Sequence, residues 1–394
     1  MPIESGRAGD DERAALLPPE VLPLIDDGFV HSCDLFEGYV FRLARRVFRS
    51  TGLGAAYASP ATAAEAIARA GLDPHTATIP VDWILRELVW RGTLGVEGSG
   101  ATARYTLVDA GPDPDPEELR SEQAQHDPRA LPSYAIAALA AEHYPAVLRG
   151  ETTGEQALFG VERMAAWSEY FANENILYAI SNALGAMACE AALRREGGAV
   201  LELGGGLGSG AACLCDRLAT AGTQGSVTAY RFTEMSIPFL RRAQKSLAAA
   251  WPGVPFAFAR LDMNRPFAEA GATSGGFALV HAVNALHVAH DLAFTLGQIR
   301  EALTPGGALV ATECVRPIAG RPVYVEFVFN LLEAFQRPLL VPSWRPTGGF
   351  LTPEQWTEAL HENGFRNVRL LPDIVAIRDA YPSFVVAAIT ARRA

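Results

Sequence analysis

Lysine is almost missing from this chain: among its 33 basic residues only Lys245 is a lysine. The basic residues are outnumbered by 44 acidic ones. The resulting net charge of −11 argues against nucleic acid or an anionic membrane as partner, because phosphate contacts need Lys and Arg. Cysteine is scarce too. Cys33, Cys189, Cys213, Cys215 and Cys314 follow no disulfide or metal spacing, and on a helix Cys213 and Cys215 would diverge by about 200°. Reduced thiols in a cytoplasm are the expected state. No uninterrupted apolar run reaches the ~18 residues of a membrane helix. The N-terminus opens with Glu4, Arg7, Asp10, Asp11 and Glu12 in place of an apolar core, so no signal peptide is expected. A chain of 394 residues then suggests two domains, at ~100–200 residues each.

What is abundant is glycine, and its placement carries the chemistry. Ala199-Val-Leu-Glu-Leu-Gly-Gly-Gly-Leu-Gly-Ser-Gly210 reads as a buried parallel strand running into a glycine loop. Gly204, Gly206 and Gly208 permit a sharp turn and close approach to a ligand. Glu202 stands just before the loop and would repel a phosphate. A cofactor with a cationic head and no phosphate fits better, and S-adenosylmethionine (SAM) is such a molecule. Strands and helices then alternate, which points to an α/β, Rossmann-like sheet. Residues Ser226–Thr233 form a second strand ended by Glu234, a carboxylate able to accept both ribose hydroxyls. The Gly208–Glu234 interval exceeds the ~20 residues of the dinucleotide fingerprint, and the turn Ala221–Gly225 absorbs the excess. Phe256–Leu261 is a third strand, ended by Asp262, Met263 and Asn264, where Asp262 can accept from an adenine amino group. Phe277–Val283 is a fourth, followed by Asn284 and His287. Helix Asp291–Leu303, the Pro305-Gly306-Gly307 turn and strand Ala308–Glu313 complete the series.

These words resemble the class I SAM-dependent methyltransferases, and most of all the C-methyltransferase domains of polyketide synthases. The matching stretches are Val200–Gly206, Tyr230-Arg-Phe-Thr-Glu-Met-Ser236 with Phe239-Leu-Arg-Arg-Ala243, Asn284-Ala-Leu-His287, Asp291-Leu292, Leu303-Thr-Pro-Gly-Gly307 and Glu313. Gln156-Ala-Leu-Phe159 and a helix bearing Trp167, Tyr178 and Asn182 precede the loop, as in that family. The loop departs from the family in reading Gly-Gly-Gly-Leu-Gly, and the second-strand acid is Glu234 where Asp is commoner. Glu202, Gly204, Gly206, Gly208, Glu234, Asp262, Met263 and Asn284 are therefore the expected cofactor contacts. His287 lies just past the fourth strand, where ligands sit in open α/β sheets. A His there can strip a proton from an acceptor while a carboxylate orients its ring. Glu313 ends the next strand, ~4.8 Å away, and the resemblance implies that His287 and Glu313 form the catalytic dyad for an activated carbon.

The first 110 residues form a separate unit. Val40–Arg49, Ala61–Arg69 and Val81–Arg91 read as helices, and Thr93–Val96 with Arg104–Val108 as a two-stranded wing round Glu97–Gly100. This mostly helical, winged-helix-like domain would bind DNA if it were basic, but residues 55–105 hold four Arg, no Lys and five acids. The O-methyltransferases resembled use a similar domain to dimerise and to close the substrate pocket, which implies a homodimer. Residues 111–194 are expected to be a linker (Gly111–Pro116) followed by pocket-lining helices at Leu131–Arg149 and Val161–Arg194. Residues 195–394 are the expected SAM-binding domain.

Trp167, Tyr178, Tyr324, Phe327 and Trp344 are the expected substrate-lining aromatics, and their apolarity implies a hydrophobic acceptor, free or tethered to a carrier protein. His281, His287, His290 and Asp291 invite a metal, yet none is expected, because His281 is inside a strand and Val288 follows His287. Three functions stand open: C-methylation of a natural-product acceptor beside a carbonyl; O- or N-methylation with His287 as base; or a SAM-fold cyclase or winged-helix SAM-binding regulator.

Overall fold

The computed structural model describes residues 15–109, 111 and 114–394. The charged residues Glu4 to Glu12, and Pro112 and Asp113 of the expected linker, lie outside the described residues. The chain divides into two compact units, neither continuous in sequence. Val30–Tyr170 and Ile318–Arg337 make one; Phe171–Pro317 and Pro338–Ala394, with the stretch up to Phe29, make the other.

In the first unit, helix α1 (Asp27–Ser50, from Val30 onward) is followed by α2 (Ala63–Arg69) and α3 (Pro74–Trp90). Local chemistry starts both shorter helices. Thr62 and Glu65 form a reciprocal capping box, and Asp73 caps α3 with Pro74 in its first turn. Strands β1 (Leu94–Glu97) and β2 (Arg104–Leu107) pair antiparallel as the expected wing, and α4 (Leu131–Leu148) follows. The segment after residue 317 is held here by polar contacts. The Trp83 indole donates to Glu326 Oε2 at 3.2 Å, Arg321 Nη2 pairs with Glu37 Oε1 at 2.8 Å, and the Tyr144 hydroxyl donates to the Phe327 carbonyl at 2.5 Å.

The second unit is a seven-stranded sheet. Helix α5 (Ile176–Glu196) leads into β3 (Gly198–Leu203), α6 (Ser209–Thr220), β4 (Val227–Thr233), α7 (Ile237–Ala250), β5 (Phe256–Ala259) and β6 (Phe277–Val283). Helix α8 (Leu292–Ala302), β7 (Leu303–Cys314), α9 (Pro353–Glu362), β8 (Phe365–Leu371) and β9 (Val386–Arg393) complete it. The spatial order is β5-β4-β3-β6-β7-β9-β8, parallel except for β9, which runs antiparallel between β7 and β8. Val200, Leu201, Val280 and Val310 are fully buried, as parallel strands covered on both faces require. Strand order reverses between β3 and β6, and the crevice outside their carboxyl ends is where such sheets take ligands.

The expected single helix over Val161–Arg194 is broken. A 3₁₀ turn at Val161–Arg163 and a helix at Met164–Tyr170 end before α5 begins at Ile176. Asn173 and Asn175 occupy the break, and asparagine favours turns over helix interiors. Among the described residues α5 has the length and apolarity of a membrane-crossing helix, although no continuous apolar run announces it. It lies against β6, β7 and β9 as a core helix. Cβ atoms are excluded at Gly185, where one would stand 2.6 Å from Thr312 Oγ1.

Candidate active site

At the reversal point a cavity of about 150 Å³ opens, lined by Phe171, Tyr178, Asn182, Glu202, the stretch from Gly204 to Leu207, Ser209, Gly210, Glu234, Phe239, Val283 and Asn284. It brings together six of the expected site residues: Glu202, Gly204, Gly206, Glu234, Asn284 and Tyr178. The loop owes its path to left-handed backbone. Gly204 and Gly206 have φ of 62° and 56°, which L side chains rarely adopt, and a Cβ on Gly204 would lie 2.9 Å from that of Ala285. Glu234 braces the loop from the end of β4, its Oε2 accepting from Gly206 N at 2.9 Å and its Oε1 from Ser236 N at 2.7 Å.

Three expected cofactor contacts do not line this cavity. Gly208 caps the start of α6 with φ of 90°, and a Cβ there would press on Leu247 of α7 at 3.0 Å, so backbone conformation and packing account for that glycine. Asp262 Oδ1 accepts from Asn264 N at 2.9 Å. Met263 stands beside the loop, its Cε 3.8 Å from where a Cβ of Gly204 would be.

Glu202 is fully buried on β3, with Oε2 accepting from the Tyr230 hydroxyl at 2.8 Å. Burial pushes its carboxyl up to about 8, against the Tyr230 hydrogen bond and with help from Glu234. Among the described residues no arginine or lysine lines the cavity. Two carboxyl groups beside a bare glycine loop suit a cofactor with a cationic part and hydroxyls, and disfavour a dinucleotide phosphate. The residues present therefore fit SAM: Glu202 for the positive end, because a cation beside it would draw off the proton that burial keeps there, and Glu234 for ribose hydroxyls, since each of its carboxylate oxygens keeps a further lone pair.

At the same strand end, three residues beyond Asn284, sits the His–Glu pair. Asn284 adopts φ 47°, and its Oδ1 accepts from Cys314 N at 3.0 Å, so the turn after β6 is tied to the end of β7. His287 Nδ1 is 2.5 Å from Glu313 Oε2. The other oxygen, Glu313 Oε1, accepts from Leu286 N at 2.7 Å and Ala285 N at 3.2 Å. An ionised carboxylate only accepts hydrogen bonds, so beside one a neutral His287 ring carries its proton on Nδ1 and its lone pair on Nε2. Buried Arg345 holds the turn from outside, donating through Nη2 to the His287 carbonyl at 2.7 Å and through Nη1 to that of Ala289 at 3.2 Å. Phe350 packs against the His287 ring at 4.8 Å.

The remaining histidines go elsewhere. His281 on β6 is fully buried, and burial holds its imidazole down to about 4; the His290 backbone donates to Asn264 Oδ1 at 2.8 Å. Of the expected substrate aromatics only Tyr178 lines the cavity, beside Phe171 at 5.2 Å. Trp167, Tyr324 and Phe327 are core residues of the helical unit. Trp167 stacks on Phe159 at 4.6 Å, Tyr324 meets Phe36 at 5.6 Å, and Phe327 stacks on Tyr144 at 4.6 Å. Trp344 is buried with its indole donating to Glu362 Oε2 at 2.9 Å. Sequence reasoning missed Asn182, Phe239 and Arg345 as site residues. Asn182 was within reach, because it lies one helical turn after Tyr178 and shares its face. A larger groove of about 760 Å³, lined by Arg194, Arg195, Arg369 and Arg392 among others, gathers none of the expected residues.

A family model described as a methyltransferase domain matches residues 174–370. The highly reducing polyketide synthase FUM1 of Gibberella moniliformis is 32% identical over 196 residues, 50% of this chain and 7% of that protein. The chain spans only 5–10% of the length of such curated relatives. Among solved structures, the CurJ carbon methyltransferase is similar at a TM-score of 0.77 and 20% identity, over 95% of this chain and 96% of that one. The trans-methyltransferase CalH, solved in complex with SAH, is similar at a TM-score of 0.61 and 19% identity, over 93% and 91%.

Proposed function

We propose that this chain, which belongs to the methyltransferase domain family, is a SAM-dependent carbon methyltransferase of polyketide biosynthesis that uses His287 as general base and Glu313 as its orienting partner. The observation that carries this reading is the 2.5 Å contact of His287 Nδ1 with a Glu313 whose second oxygen is held by two backbone N–H groups. SAM, when bound, supplies an electrophilic methyl group on a sulfonium. The protein's part is to make a nucleophile and hold it.

A carbon beside a carbonyl is a poor nucleophile until it loses a proton. His287 is oriented to take one at Nε2, because Glu313 keeps the other ring proton on Nδ1. As the ring becomes cationic, the charge of Glu313 stabilises it, and both side chains are buried, where such pairing is strong. Asn284 and Arg345 keep the turn bearing His287 fixed, which preserves the alignment that proton transfer needs. General-base assistance of this kind contributes about 10²–10⁴-fold.

The acceptor is inferred to be a hydrophobic β-ketoacyl group, free or carried as a thioester on a carrier protein. Support comes from the named activities of FUM1 and CurJ and from the aromatic rim of Phe171, Tyr178 and Phe239. The winged-helix-like segment is inferred to dimerise and cover the acceptor, since its acid balance disfavours DNA. Incubating the protein with SAM bearing a ¹³C methyl and a β-ketoacyl thioester tests the function: the label is expected on the α-carbon by NMR. Label on oxygen or nitrogen, or no transfer, would overturn it.

A further inference from the structure

We propose that the side-chain oxygen of Asn182 reads the α-ammonium group of the cofactor's methionine part, making Asn182 a specificity-determining residue of the site; this rests on the cofactor reading above. Asn182 is 1% exposed and lines the cavity, yet its Oδ1 has no hydrogen-bond partner among the described residues. A buried amide oxygen left so costs stability unless a ligand satisfies it.

The orientation of that amide is set by a chain of obligatory roles. The Ser209 backbone carbonyl can only accept, and Asn173 Nδ2 donates to it at 3.0 Å. Asn173 must therefore turn its oxygen the other way, where it accepts from Asn182 Nδ2 at 2.8 Å. Asn182 in turn must present Oδ1, an acceptor, and not its NH₂. The chain is anchored at the first residue of α6, which ties the amide to the end of the glycine loop.

A second acceptor faces the same space. A Cβ on Gly210 would stand 3.2 Å from Glu202 Oε1 and 3.5 Å from Asn182 Oδ1. Glycine at 210 leaves open a small cradle between an amide oxygen and a carboxyl oxygen. A cation seated there draws off the proton that burial keeps on Glu202 in the empty cavity; the two oxygens are then both acceptors and select a multi-proton donor, and an ammonium has three N–H bonds to give.

The test is calorimetric titration of the full chain with S-adenosylhomocysteine and with its analogue carrying hydrogen in place of the α-amino group. Asn182→Leu is expected to weaken S-adenosylhomocysteine about tenfold or more and to leave the deaminated analogue unchanged. Asn173→Leu, at an exposed position, frees the Asn182 amide to turn and is expected to give a smaller loss with the same selectivity. Equal losses for both ligands, or no loss in either variant, would overturn the proposal and make Asn182 structural. Wild-type protein that binds neither ligand would overturn the cofactor reading itself, an outcome told apart because it needs no variant.

Discussion

Replacing Glu313 with glutamine changes one atom, and the site's geometry makes that change severe. On sequence alone the amide preserves a hydrogen bond to His287, which suggests a mild effect. The structure removes that reading, because Glu313 serves three donors: the Ala285 and Leu286 N–H groups on one oxygen and His287 Nδ1 on the other. A glutamine amide has one oxygen. Turning its NH₂ toward the backbone would face two buried donors with a third and leave them unsatisfied, at about 1–3 kcal/mol each. Turning NH₂ toward the ring needs only that the imidazole proton move from Nδ1 to Nε2. The second arrangement wins, and it places a proton on the nitrogen that has to accept one. The loss should then approach the full value of general-base catalysis, about 10²–10⁴-fold, as it does when a triad carboxylate becomes an amide and fixes the wrong tautomer. The assay is single-turnover methyl transfer at saturating SAM and acceptor. Calorimetry should show unchanged SAM binding, and ¹⁵N NMR should show the His287 tautomer reversed. Turnover in Glu313→Gln within about threefold of wild type, far short of the general-base range, would refute the reasoning.

Three further outcomes follow from named contacts. Glu202, raised to about 8 by burial, binds a proton in the folded state that the unfolded chain releases near 4.3; folding stability should therefore fall as pH rises between those values. Glu202→Gln should match wild type in melting temperature near pH 4 and exceed it near pH 8, and parallel melting curves would remove this expectation. Gly205→Ala places a methyl 2.3 Å from the buried Phe232 ring, so urea unfolding should report a loss of about 1–3 kcal/mol. Arg345→Met leaves the His287 and Ala289 carbonyls without their donor; kcat should drop while SAM affinity, measured by titration, stays the same.

The parallel sheet was legible because buried strands read as continuous apolar runs and glycines punctuate them; β3, β4, β5 and β6 begin and end within a few residues of their expected bounds. Glu234 and the juxtaposition of His287 with Glu313 were legible because strand ends in such a sheet meet at one crevice. Features made by chain-distant contacts were not. Arg345 lies 58 positions from the carbonyl it holds, and no local pattern marks it. The same holds for Phe327, which reads as a pocket aromatic until Trp83 and Tyr144 are found against it. The break before α5 was obscured by the alanines and aromatics on either side, which favour or tolerate helix; two asparagines decided it.

The central claim, that His287 removes a proton from carbon, is tested most directly without methyl transfer. With S-adenosylhomocysteine bound, a β-ketoacyl thioester in deuterium oxide is followed by NMR for exchange at its α-carbon. Wild-type protein is expected to accelerate deuterium entry, and His287→Ala to fall to the rate of buffer alone while still binding S-adenosylhomocysteine. Exchange in His287→Ala at the wild-type rate would contradict the account.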